Sequence, residues 1–426
     1  MLRTRTWPAL SIAALLALAV PAAADPLADL VAGRTAAAPE LAGLAVVTAD
    51  RHGVRSARAY GRAVIDAGDV ARERPLTPAT PIRVASVSKL AVAIVVMRLV
   101  EVGSLDLDRD VSDYLGWRVR NPAFPDTALT LRQLLSHTSG LDDASGYSFP
   151  LGARLQDGLT PDHWSAAPGA RFSYANINFG IIATVMEAAT ATRFDRLMTA
   201  KLFAPLHLDA CFNWSGCSSD AVAHAAVLYR KGRDEQAWNP VGPWIAQVDD
   251  LRGIAPPCPV RAAGPCDLDG YRPGDNGTLF SPQGGMRISP LGLATLGRLL
   301  LRGGEVDGVR LLHAPTVAAM LRPQWHGGPG GNTYAGLMTC YGLSVLCLNG
   351  LAAGRDQPVA GRTVRWNGHL GEAYGVYSGL WIDRRRGRVF IYAVTGMADD
   401  PARFPGVFSA FHRFEEAVMT ILEAGL

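Results

Sequence analysis

Ser86-Val87-Ser88-Lys89 sets a hydroxyl and an amine three residues apart at the head of a largely apolar run. On a helix, positions i and i+3 share a face. With Ser86 opening that helix, both groups point into one cleft, and the pair is a nucleophile with its base built in. The Ser86 backbone N–H is then a free donor of a helix N-terminus, open to a developing oxyanion. Lysine occurs only at Lys89, Lys201 and Lys231, and Met198 and Leu228 stand three before the other two, so the spacing does not follow from lysine abundance. The plain alternative is a helix-capping serine followed by a solvated lysine. A second element, Tyr174-Ala175-Asn176, ends the loop 168–173 and precedes an apolar segment. A phenol beside a lysine handles protons, because nearby cations favour the phenolate. It can take the Ser86 proton and deliver one to a leaving group. Asn176 offers an amide donor and acceptor to a substrate carbonyl or to Lys89. The alternative here is a core aromatic residue followed by a capping asparagine.

Strands and helices must position these groups. Leu44 to Thr48 and Val54 to Tyr60 read as two strands joined by the turn Asp50-Arg51-His52-Gly53. A helix is expected from Ser86 to Val102 with Gly103 as its stop, a short one over Thr130 to Leu135 with Thr130 as cap, another from Ile177 to Ala191, and a fourth over Phe194 to Phe203 closed by Pro205. Residues 218–285 are rich in Pro, Gly, Asp and Arg, with little helical periodicity, and a stretch of that length without regular structure is expected to be functional or mobile. Ser289-Pro290 opens a further helix. Val376 to Ile382 and Val389 to Val394 flank a hairpin turn, and a last helix is expected over Val407 to Glu423. Strands at both ends bracketing a helical middle predict an α+β fold: an antiparallel sheet built by both chain ends and flanked by helices. On this reading residues 25–110 with 286–426 form the sheet lobe, residues 111–285 form an inserted helical and loop-rich lobe, and the cleft between them holds the site.

Residues 1–24 resemble a secretory signal, with Arg3 and Arg5, an apolar stretch from Ala9 to Val20, and Ala22-Ala23-Ala24 before a cut at Asp25. The apolar stretch is too short to span a bilayer stably; the alternative is a retained N-terminal anchor. Export predicts a periplasmic or secreted protein, with no stable membrane insertion after cleavage. The formal net charge of +3 is no electrostatic footprint for nucleic acid. Six cysteines fall into three close pairs, Cys211 and Cys217, Cys258 and Cys266, Cys340 and Cys347, and in an oxidising compartment neighbours are expected to pair. Free buried thiols are the alternative. No metal-ligand spacing, phosphate-binding glycine loop or dinucleotide fingerprint occurs, so neither metal nor cofactor is expected. Asp142-Asp143 and Asp249-Asp250 read as solvated loop carboxylates.

Taken together, Ser86-Val87-Ser88-Lys89 and Tyr174-Ala175-Asn176 resemble the motifs of the penicillin-recognising serine hydrolases. Within them the chain is similar to the class C β-lactamase-like group, with its D,D-peptidases, D-amino-acid peptidases and esterases. Pro81 to Ala85 leads into the serine as in that group, and Leu134-Leu135-Ser136-His137-Thr138-Ser139-Gly140-Leu141 resembles its intervening loop. The resemblance covers roughly Leu41 to the C-terminus, in the expected motif order. It implies a third element, Lys-Thr-Gly or a variant, on a strand lining the cleft. His326-Gly327-Gly328 and His369-Leu370-Gly371 both offer His-x-Gly; the second precedes the C-terminal hairpin and is the choice, a solvated strand histidine being its alternative. The resemblance further implies that the Glu372 N–H is the second oxyanion donor, opposite that of Ser86.

Histidine in place of lysine removes a standing charge for a substrate carboxylate, unless Arg287 or Arg365 replaces it. The expectation is therefore an exported, cofactor-free serine hydrolase acting through an acyl-enzyme on small-molecule esters or D-amino-acid peptides. Ser86, Lys89 and Tyr174 are its catalytic residues, and Asn176, His369, Gly371 and Glu372 its substrate side. A class C-like β-lactamase is the alternative, and a non-catalytic penicillin-binding or sensing protein on the same fold is the reading from another class.

Overall fold

The computed structural model describes residues 25–66, 68–233, 237–327, 332–350 and 355–425. The expected signal segment, residues 1–24, lies outside the described residues.

Nine strands make the main sheet: β1 (Gly43–Asp50), β2 (Val54–Val64), β3 (Arg74–Pro75), β4 (Trp325–His326), β5 (Cys340–Tyr341), β6 (Leu346–Cys347), β7 (Asn367–Ala373), β8 (Val376–Asp383) and β9 (Arg388–Val394). Their spatial order is β4-β5-β6-β7-β8-β9-β1-β2-β3, with antiparallel neighbours throughout. Both chain ends build this sheet, and Thr48 of β1 faces Phe390 of β9. The central strands are buried on both faces, which is why β8 reads as a nearly continuous apolar run. α1 (Ser88–Glu101) and α2 (Ile177–Thr190) share one apolar core with Val47, Leu380 and Ile391 and with α3 (Pro290–Leu301), which packs on β1, β8 and β9 and covers one face. The other face carries α4 (Arg413–Ala424), where Val418, Met419 and Leu422 pack with Trp381, Phe390 and Tyr392. A second, three-stranded sheet holds Met286–Ile288 between Ile82–Arg83 and Cys211–Phe212, and so ties the segment feeding Ser86 to the middle of the chain.

The six cysteines pair as Cys211–Cys217, Cys258–Cys266 and Cys340–Cys347. Among the described residues no helix is long and apolar enough to cross a membrane.

Four local expectations need correcting. The α-helix begins at Ser88, and Ser86 lies in a preceding 3-10 turn, Ala85–Val87. The segment after Phe194 stays α-helical only to Met198 and then widens through Thr199–Phe203. Residues 218–285 are not structureless: they hold a helix, Ser219–His224, and the strands Leu228–Arg230 and Ile245–Val248. The last helix starts at Arg413 rather than near Val407, because the Glu416 carboxylate accepts the N–H groups of Val407, Phe408 and Ser409 and holds them in a loop. His412 and Glu415 then close a capping box at the true start.

Candidate active site

Ala85 adopts φ 43°, a left-handed conformation costly for a residue with a Cβ. Ser88 holds the turn in place: its hydroxyl donates to the Ala85 carbonyl at 2.6 Å and accepts from the Met286 N–H at 3.0 Å. Ser86 is left half-buried at the head of α1, with Lys89 one turn on.

Lys89 is fully buried. Its Nζ lies 2.9 Å from Ser86 Oγ, 2.8 Å from Asn176 Oδ1 and 2.8 Å from the Gln283 carbonyl. Burial pushes the ammonium well below its ordinary 10.5, with the Asp143 carboxylate pulling weakly the other way. A neutral amine has two N–H groups and one lone pair. The two acceptor-only oxygens match the N–H groups, and the hydroxyl of Ser86 matches the lone pair.

The Tyr174 ring lies 4.9 Å from Lys89 Nζ and stacks at 4.3 Å on the ring of His137. Burial raises its phenol well above 10.0, and a hydrogen bond with Ser86 opposes the rise. Desolvation thus works against the phenolate at this position and favours the neutral phenol. His137 fixes the segment from below, with Nδ1 accepting the Ala175 N–H at 3.1 Å.

Asn176 does not cap α2 with its side chain. Asp143 caps the helix in its place. Its carboxylate accepts from the Asn176 N–H at 2.8 Å, the Ile177 N–H at 3.0 Å and Asn176 Nδ2 at 3.0 Å. With Nδ2 held, Oδ1 must face Lys89. Asp143 is therefore not the solvated loop carboxylate its neighbours in sequence suggest. Nor is Asp249, which is buried and paired with Arg287 at 2.6 Å.

β7 forms the opposite wall. A Cβ on Gly371 would sit 2.6 Å from Ser378 Oγ and 3.0 Å from the Ser86 nitrogen, and closer still to the Val84 carbonyl, so only glycine lets this strand pass the turn. His369, two residues earlier, is fully buried; Nε2 meets the Tyr341 hydroxyl at 2.8 Å and Nδ1 the Leu370 carbonyl at 2.5 Å. Burial, then the charge of Lys89, pushes it down to about 3, so it is neutral. Both ring nitrogens are taken, which corrects its expected place on the substrate side: it stands behind the wall. His326 is exposed on β4 at the sheet edge.

Ser86, Asn176, Gln283 and Glu372 line one cleft of about 870 Å³ together with Arg83, Tyr147, Trp214, Tyr334 and Tyr374. The loop 256–261, bearing Cys258, forms part of its rim. Glu372 is exposed and its carboxylate accepts from the Tyr377 hydroxyl at 3.0 Å. Neither anticipated arginine is a free clamp. Arg287 lines the cleft but is neutralised by Asp249, and Arg365 is exposed and does not line it.

A serine bonded to a buried lysine, a phenol above them and a glycine strand opposite is the arrangement that the motif resemblance implies. A family model described as Beta-lactamase matches residues 27–409. The chain belongs to the Beta-lactamase family. Among curated members, Penicillin-binding protein 4 of Amycolatopsis lactamdurans is 31% identical over 252 residues, 56% of this chain and 55% of that protein. Esterase EstB of Burkholderia gladioli is 32% identical over 211 residues, 45% of this chain and 51% of the esterase. The chain thus spans about half the length of these two relatives. Its fold is that of the D-amino acid amidase from Ochrobactrum anthropi SV3, with TM-score 0.62 at 18% identity, covering 94% of this chain and 97% of the amidase. Spacing singled out Ser86, Lys89, Tyr174 and Asn176, and the structure brings these four side chains together. Spacing missed Asp143, Tyr341 and the Gln283 carbonyl, and it gave His137 no role although the residue sits in a quoted motif.

Proposed function

We propose that the chain is a serine hydrolase that forms an acyl-enzyme on Ser86. The observation that carries this is Lys89 Nζ, fully buried, depressed by desolvation and 2.9 Å from Ser86 Oγ. Ser86 gives its proton to the neutral amine as Oγ bonds to the substrate carbonyl carbon. The oxyanion is held by the N–H groups of Ser86 and Glu372, on the two walls that Gly371 keeps close. The Tyr174 phenol, neutral at rest, donates to the leaving group and is reprotonated from Lys89. Water then attacks the acyl carbon, its proton passing through the same pair to Ser86 Oγ as the Oγ–acyl bond breaks and the acid leaves.

Esters and D-amino-acid peptides are the preferred substrates over β-lactams. His369 carries no charge, and Arg287 spends its own on Asp249, so neither offers a β-lactam carboxylate the standing cation of a lysine. The three disulfides and the leader-like first 24 residues support export to the periplasm or beyond. The test is intact-mass measurement after exposure to a fluorophosphonate, a short p-nitrophenyl ester, a D-Ala-D-Ala peptide and a penicillin. One adduct mapped to Ser86 and absent from Ser86→Ala is expected. An adduct that persists in Ser86→Ala, or none with any reagent, overturns the proposal.

A further inference from the structure

Arg83 and Arg287 are directly opposed across the pairing of Ile82–Arg83 with Met286–Ile288. Like charges opposed on a ladder repel. Burial is the main reason that the Arg287 guanidinium falls below its ordinary value, and the charge of Arg83 adds to the fall.

The chain neutralises only one of the two. Arg287 pairs with Asp249, donates to the Gly285 carbonyl at 2.9 Å and lies over the Trp214 ring at 4.5 Å. Arg83 has its Nε–H on the Gly284 carbonyl at 3.1 Å and its plane over the Tyr374 ring at 4.8 Å. Among the described residues its two terminal nitrogens have no hydrogen-bond or ion-pair partner. The side chain is half-buried, lines the same cleft as Ser86 and stands three residues before it. A guanidinium oriented through one edge, with the other edge open to a ligand, is built to grip a planar anion.

We propose that Arg83 is a specificity-determining residue that takes a carboxylate carried in the acyl group of the substrate, on the side away from the leaving group. The ligand class is then an ester or amide whose acyl group ends in a free carboxylate, unlike a β-lactam, whose carboxylate sits beside the leaving nitrogen, and the anion relieves the repulsion between the two arginines. This rests on Ser86 being the nucleophile.

Two esters that differ by that group provide the test: p-nitrophenyl butyrate and mono-p-nitrophenyl glutarate. Wild type is expected to favour the glutarate in kcat/KM. In Arg83→Gln the glutarate-to-butyrate ratio should fall by about tenfold to a hundredfold, the worth of one charge-assisted bond. The loss should sit in KM, and Arg83→Lys should keep part of the ratio. Because the ratio is internal to each variant, partial unfolding cancels from it. Wild type that favours the butyrate, or an Arg83→Gln ratio within about twofold of wild type, overturns the proposal. Ser86→Ala separates the two readings. Turnover of both esters by Ser86→Ala overturns the nucleophile, whereas an inactive Ser86→Ala beside an unchanged Arg83→Gln ratio overturns Arg83 alone.

Discussion

Gly371→Ala tests the close approach of β7 to Ser86. The added methyl would lie 2.6 Å from Ser378 Oγ and 3.0 Å from the Ser86 nitrogen, with the Val84 carbonyl nearer still. Two of these three atoms are backbone, so no rotamer change clears them. Restoring ordinary contact at about 3.5 Å moves strand and turn apart by roughly 1 Å. Gly371 is not among the residues of positive φ, so the alanine backbone is itself unstrained and the effect is purely one of space. Overpacking of this kind costs about 1–3 kcal/mol, and thermal denaturation should show the variant still folded. The chemical cost is larger, because the displaced strand carries the Glu372 N–H away from the proposed oxyanion site. A misplacement of about 1 Å costs roughly a hundredfold, and loss of one oxyanion donor about a hundredfold to a thousandfold. The assay is kcat/KM for a short p-nitrophenyl ester, with the fluorophosphonate labelling rate as a second readout. A folded Gly371→Ala protein that keeps kcat/KM within about threefold of wild type would refute the reasoning.

The rate should rise with pH as Lys89 loses its proton, and burial places that rise well below the ordinary lysine value of 10.5; a kcat/KM profile with its ascending limb near 10.5 contradicts the neutral-amine base. Asp143→Ala removes the acceptor for three α2 donors, so a melting curve should show a loss of about 1 kcal/mol, and freed rotation of Asn176 should lower kcat about tenfold. Glu187 is pushed from 4.5 up to about 7 by burial, against hydrogen bonds from Tyr271, Gly274 and Phe194. Its proton is bound more tightly in the fold, so it adds stability below pH 4.5 that is lost as pH rises through about 7, an effect of about 3 kcal/mol. Denaturant melts across that range should show a decline that flattens in Glu187→Gln, and parallel declines would count against the assignment.

The reach of sequence pattern here follows from distance along the chain. Ser86 and Lys89 were legible because their relation is local, and it survives the late start of α1: a 3-10 turn also sets i and i+3 on one side. The outer strands, the capping box at Thr130 and the Ser289-Pro290 helix start are local in the same sense. Asp143 was not legible, since the backbone donors it serves lie 33 and 34 residues away and nothing beside it differs from a solvated turn. Tyr341 reaches His369 only through sheet order, and Gln283 acts through a carbonyl that every residue possesses. The upward push on the Tyr174 phenol was not legible for a related reason: burial is a property of the whole fold. Periodicity misplaced the last helix because one carboxylate, Glu416, outcompetes the helical pattern for three backbone donors.

β1 hydrogen-bonds to β9, a strand from the opposite end of the chain. A ribosome makes β1 and β2 well before β9, so the edge of β1 that β9 will cover waits unpaired while all the chain between them is made. An open apolar edge of that kind templates intermolecular pairing, and contacts this distant in sequence form slowly. The serine turn packs against β7, which is also made late, so no partly made chain holds an assembled cleft. A chain built in this way stays inert until β7 has been made and docked against the serine turn.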